Sequence, residues 1–140
     1  MLIVGNCHCG NIAFSLDWPG DAAEIPARAC GCTFCVRHGA VWTSNPAGRL
    51  WVRLRNEKRV NTYRFGTGTA FFHICEMCGC VPFVASKVDE QRYAVVNVNL
   101  FVNVEASRLR RVAADFEGEA LGARLARRKR TWIADVKINR

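Results

Sequence analysis

No apolar run in this sequence approaches the roughly 20 residues of a membrane-spanning helix, so no helical membrane segment is expected. Met1-Leu2-Ile3-Val4 lacks the basic start and long apolar stretch of a secretory signal, and the expected compartment is the cytoplasm. Internal repeats and Pro-, Gly- or Ser-rich linkers are absent, and 140 residues are the length of one ordinary domain; a single domain over 1–140 is the economical reading. Acidic residues are scarce. Twelve Asp and Glu stand against 20 Lys and Arg, a formal net charge of +8. Solubility, an anionic substrate and nucleic acid all remain open as reasons for that excess. Much of it sits late, in Arg108, Arg110, Arg111 and the run Arg127-Arg128-Lys129-Arg130, which reads as a solvated face. Those basic residues follow the cysteine groups and lack interleaved aromatics to stack bases, which makes a nucleic-acid partner the weaker expectation.

Cysteine, by contrast, is abundant. Eight thiols in a reducing compartment are better explained by metal or redox chemistry than by disulfides. Three of them fall inside six residues of Ala29-Cys30-Gly31-Cys32-Thr33-Phe34-Cys35. Cys-x-Cys in extended backbone puts both sulfurs on one face, and two further residues let the chain turn and bring Cys35 back. Three thiolates from one short segment can hold a zinc ion and leave its fourth tetrahedral position open, the mark of a catalytic site. Cys7-His8-Cys9-Gly10 and Cys75-Glu76-Met77-Cys78-Gly79 form the other groups. Cys-x-x-Cys followed by glycine is a zinc-knuckle turn. Paired with Cys7 and Cys9 it makes a closed four-thiolate site, structural in kind, whose metal contributes folding free energy on the order of 10 kcal/mol in small fingers.

Alternation over Ile12, Phe14, Leu16 and Trp18 predicts a strand ended by Pro19-Gly20. Residues 21–27 read as a loop, followed by strands over Arg28 to Cys32 and Ala40 to Thr43. Leu50 to Leu54 and Val60 to Phe65 flank a polar turn and read as a hairpin. Thr69 to Ile74 leads into the second cysteine group. Val81 to Val88 and Tyr93 to Leu100 pair around Asp89-Glu90-Gln91. Only Glu119 to Arg130 reads as a helix. The class is mainly β with a minor helical C-terminal part.

Those three cysteine groups in that order, with His38-Gly39-Ala40-Val41-Trp42 and Tyr93-Ala94-Val95-Val96-Asn97-Val98-Asn99, resemble the glutathione-dependent formaldehyde-activating family, also called centromere protein V-like. The resemblance implies a β-tent of stacked antiparallel sheets with two zinc sites. It places Cys7, Cys9, Cys75 and Cys78 on the structural zinc, and Cys30, Cys32 and Cys35 on the catalytic one. The implied reaction condenses formaldehyde with glutathione to S-hydroxymethylglutathione, and it is classed as a carbon–sulfur lyase activity.

Cys80 departs from the family pattern, reading either as a buried thiol that points away from the metal held by Cys78 or as a fourth ligand that closes the second site. His8, between two ligands, should face solvent. His73 could share a face with Cys75, where four thiolates already suffice. His38 is the candidate for proton transfer or support of the zinc ligands, with a plain structural histidine as the alternative. Trp42 and Phe34 are candidates for an apolar pocket wall, or else core. In the expected mechanism glutathione's thiol occupies the open zinc position as a thiolate and adds to an aldehyde carbonyl; Arg37 is the candidate to meet one of its carboxylates. Two rival classes stand beside the enzyme: a zinc-ribbon-like nucleic-acid-binding module, and a metal chaperone or redox sensor built on a labile three-thiol site.

Overall fold

A computed structural model describes residues 1–139 of the chain. Its first sheet contains β1 (Leu2–Asn6), β2 (Ile12–Asp17), β5 (Arg49–Leu54) and β11 (Asp135–Asn139), adjacent in that order. The second has seven strands: β10 (Leu109–Ala114), β3 (Ile25–Cys30), β4 (Val41–Thr43), β9 (Gln91–Asn97), β8 (Phe83–Val88), β7 (Ala70–Cys75) and β6 (Val60–Tyr63). Helix α1 (Thr33–His38) links β3 to β4, and α2 (Leu121–Thr131) links β10 to β11. No described helix is long and apolar enough to cross a membrane.

The mainly β expectation holds, as do two sheets, with one qualification. Neighbouring strands are antiparallel except for β3 with β10 and β5 with β11, which run parallel. Both exceptions bring a late strand to an outer edge of its sheet. Sequence reading assigned neither, because Leu109–Ala114 and Asp135–Asn139 carry charges where a central strand would carry apolar residues.

Alternation places the core. Ile12, Phe14 and Leu16 of β2 and Leu50 and Val52 of β5 pack with Ile25, Phe83, Ala85, Ala94 and Val96 of the larger sheet. The opposite face of β8 and β9 carries Val84, Val88, Tyr93 and Val95, packed with Cys35, Trp42, Phe72 and Trp132. These two central strands are covered on both sides, which is why they read as nearly continuous apolar runs. The Asp89-Glu90 turn between them has positive φ at both residues, as a two-residue hairpin requires.

Three local readings change. Residues Leu50 to Phe65 form no hairpin, since β5 and β6 belong to different sheets. Buried Asn11 decides this: its Nδ2 donates to Asn56 O at 3.1 Å, its Oδ1 accepts from Asn56 N at 2.8 Å, and its carbonyl accepts from Arg55 N. The chain is thereby drawn past the end of β2 and across to the second sheet. Strand β3 starts at Ile25 and stops at Cys30, because fully buried Ile25 and Ala27 anchor its first half. Residues 33–38 form a helix rather than a loop. Cys32 Sγ accepts from Cys35 N at 3.3 Å as its N-cap, and Gly39, left-handed at φ 69, ends it. Cysteine is outside the usual set of capping residues, so the sequence carries no ordinary start signal there. At the other end of the chain the predicted helix is present, shifted to Leu121–Thr131.

Removing the Asn11 amide strands the backbone N–H and carbonyl of Asn56. Asn11→Ala is expected to cost about 2 kcal/mol, read as a lower urea midpoint for the metal-loaded protein. A change below about 0.5 kcal/mol would show that Asn11 does not direct the crossing.

Candidate metal centres

Two cysteine groups converge, and they divide as the spacing predicts. The sulfurs of Cys7, Cys9, Cys75 and Cys78 lie within 4.8 Å of one another, and so do those of Cys30, Cys32 and Cys35. All eight cysteines are free thiols.

The four-thiol group joins the turn between β1 and β2 to the end of β7, so it ties one sheet to the other. Cys7 and Cys9 sulfurs are 3.7 Å apart, and those of Cys9 and Cys75 are 3.5 Å apart. Backbone amides surround the group: Ile12 N donates to Cys7 Sγ at 3.3 Å, and the amides of Cys78 and Met77 donate to Cys75. Burial pushes Cys7 up to about 12. Burial also raises Cys78, but the N–H groups of Cys80 and Cys9 and hydrogen bonds with the Cys75 and Cys7 side chains together outweigh it and bring that thiol down to about 6. Cys7 and Cys75 are thereby held toward the thiol and Cys78 toward the thiolate.

Cys80 lies against this group. Burial raises its thiol, His8's backbone N–H donates to its sulfur, and Cys78 is its thiol neighbour. Its side chain therefore does not point away from Cys78, and it does not close the three-thiol group. His8 is exposed, as expected. His73, half-buried, stacks on Phe83 at 4.1 Å with Nδ1 on Phe71 O, and burial lowers its pKa to about 4, so its ring is neutral.

In the three-thiol group each sulfur comes from a different local structure: Cys30 ends β3, Cys32 caps α1, and Cys35 lies in that helix's first turn. Hydrogen bonding with Cys35 lowers Cys30 to about 6 and raises Cys35, which burial raises further. Trp42 Nε1 donates to Cys35 Sγ at 3.4 Å, so this buried indole both lines a wall and orients a thiol.

The three thiols open into a cavity of about 470 Å³, within the range that encloses a small organic ligand. Its apolar wall includes Trp42, Phe65, Phe72, Val84, Val95 and Trp132. Its charged lining residues are four arginines, Arg28, Arg124, Arg127 and Arg128, and two glutamates, Glu117 and Glu119. None of the four-thiol group lines it.

Two candidates from the sequence fall elsewhere. Arg37 is exposed and folds back to donate to Thr33 O at 3.1 Å, on its own helix. His38, also exposed, rests its ring on Phe34 at 4.3 Å, and neither residue lines the cavity. Phe34 stands behind the wall, in ring contact with Phe65 and Phe72. Two of the four arginines that do line the cavity, Arg127 and Arg128, come from the run that reads as a solvated face. Arg128 is 5% exposed, and Arg127 pairs with Glu119 while stacking on Phe116 at 3.5 Å. The signal for this was weak: Leu121, Leu125 and Arg128 mark one side of α2, but charge dominates the segment.

A family model described as "Glutathione-dependent formaldehyde-activating enzyme" matches residues 2–118, a stretch that contains all eight cysteines and stops before α2. A crystal structure of a Rhodobacter sphaeroides protein is similar to this chain at 30% identity and a TM-score of 0.55, over 74% of this chain and 91% of that one. With the cysteine groups in the order that the resemblance requires and the match running from β1 past β10, the chain belongs to the glutathione-dependent formaldehyde-activating enzyme family.

Proposed function

We propose that this protein is a zinc-dependent carbon–sulfur lyase-like enzyme that adds glutathione to formaldehyde or another small aldehyde, and catalyses the reverse, in the cytoplasm. The observation that carries this reading is that one thiol group opens into a substrate-sized cavity and the other does not. A tetrahedral zinc with ligands near 2.3 Å separates its sulfurs by about 3.8 Å, and the 3.5 and 3.7 Å separations in the four-thiol group fit that shape. Cys7, Cys9, Cys75 and Cys78 would hold a closed structural ion, and Cys30, Cys32 and Cys35 an ion with one position left to exchange. Zinc bound there supplies a centre that favours the thiolate form of an incoming thiol.

The chain's own groups supply the rest. Trp42 and the amide of Cys35 fix two of the three sulfurs. The aromatic wall makes the cavity apolar beside the thiols. In the addition a carbon–sulfur bond forms at the carbonyl carbon, and the proton given up by the thiol ends on the carbonyl oxygen. The reverse breaks that bond and returns the proton, so no oxidant or reductant is consumed. Arg124, Arg127 and Arg128 of α2 line the cavity, which leaves fewer of the late basic residues to form an outward face for nucleic acid.

Purified without chelator, the protein is expected to carry two zinc ions per chain by elemental analysis. Cys78→Ser opens the clasp between the sheets and should abolish soluble folded protein, whereas Cys32→Ser should keep the fold and bind one zinc. Equal loss of folded protein in both would contradict the division of the two sites.

Catalysis is read by exchange NMR on an equilibrium mixture of 13C-formaldehyde, glutathione and S-hydroxymethylglutathione. Wild-type protein should speed interconversion above the spontaneous rate, and Cys32→Ser should return it to that rate. No acceleration with formaldehyde or other small aldehydes would overturn the enzymatic reading.

A further inference from the structure

We infer that Arg128, assisted by Arg28, anchors a carboxylate of the thiol substrate in the cavity. The inference rests on the cavity being the substrate site, and it assigns recognition to residues of α2, which lies beyond the matched residues 2–118.

Arg128 is held in place by neutral groups alone. Nη1 donates to Thr69 Oγ1 at 2.8 Å and to Ser86 Oγ at 3.0 Å, and the ring of Trp132 lies 5.1 Å from its guanidinium carbon. Ser86 Oγ is itself committed to Thr69 O, so the hydroxyl cradle is fixed before any ligand arrives. Nε is buried with no partner. No carboxylate among the described residues lies within ion-pair distance of Arg128, although its neighbour Arg127 holds Glu119 through both Nε and Nη2. Burial, then the like charges of Arg124 and Arg127, lower Arg128 to about 10, and the charge of Glu119, which is paired with Arg127, opposes them only in part. A nearly enclosed cation with no carboxylate in contact is costly wherever it serves structure alone.

The missing anion has a place to sit, because Arg128 lines the cavity. Arg28 lines it too, two residues before Cys30 on β3 and so on the same strand face as that thiol. Its Nη2 donates to Ser44 Oγ, which in turn donates to Thr131 O at the end of α2. One serine therefore fixes the strand arginine relative to the helix that carries Arg128. With four guanidiniums against two carboxylates, the lining keeps a positive excess that an anionic thiol would neutralise. The planar fork of arginine matches a carboxylate, which a neutral thiol of the same size does not offer.

The test is calorimetric titration of the zinc-loaded full chain with glutathione and with glutathione diethyl ester, which keeps the thiol and loses both carboxylates. Wild-type protein should bind glutathione roughly 30-fold more tightly than the ester, the fold-change of a lost buried charge pair. Arg128→Gln should weaken glutathione by a similar factor and leave ester binding within about twofold, so that the preference disappears. Arg28→Gln should reduce the preference in part. If Arg128→Gln does not fold, Arg128→Lys takes its place, keeping the charge without the fork, and the preference must still fall several-fold. Equal wild-type affinity for the two ligands, or a mutant that weakens both alike, overturns the anchor and leaves the thiol-site reading standing. Absence of binding by either ligand overturns both.

Discussion

Four sulfurs from the turn after β1 and the end of β7 meet within 4.8 Å, and the relation between the two sheets depends on that meeting. Neither sheet supplies the site alone. Cys7 and Cys9 come from the smaller one, Cys75 and Cys78 from the larger, and buried Asn11 directs the intervening chain past them. The cluster lies beside the main core, where Cys7 and Cys75 are fully buried among apolar side chains. A cation there relieves repulsion between thiolates that burial otherwise suppresses, and so couples metal binding to the packing of the sheets.

On the far side of the larger sheet the second thiol group is arranged differently. Cys30, Cys32 and Cys35 come from a strand end, a helix cap and a helix turn, all local, so the group adds little long-range closure. It opens instead into a cavity roofed in part by α2. Aromatic side chains make that cavity apolar near the thiols, while arginines make it cationic elsewhere. Such a division suits a ligand with a soft sulfur at one end and anionic groups at the other. It also explains why a helix with so few apolar residues still packs: Arg128 is buried through hydroxyl hydrogen bonds, and Arg127 through a carboxylate and an aromatic face.

Cysteine spacing made both groups legible in the sequence, because ligand sets within a few residues are local facts. The central strands were legible through alternation. The edge strands were not, since β10 and β11 carry the charges that suit an exposed edge. Helix α1 was hidden by its length and by a thiol serving as its cap. Arg37 and His38 looked close to the site because they are close in sequence, but α1 turns them outward, while three of the four cavity arginines, Arg124, Arg127 and Arg128, lie about 90 residues further along the chain. Burial of charge by neutral partners leaves no pattern in a sequence. Arg128 therefore read as solvated.

Under the proposed function one thiol group holds a closed ion and the other an open one. Cadmium-113 NMR of the metal-exchanged protein tests this directly, because the shift of each bound ion reports how many sulfurs it holds. Two resonances are predicted. One should be that of a four-sulfur site and unaffected by ligand; the other should be that of three sulfurs with a lighter donor, moving toward the four-sulfur position as glutathione is added. Two four-sulfur resonances in the free protein, or a second resonance that glutathione fails to move, would contradict the account.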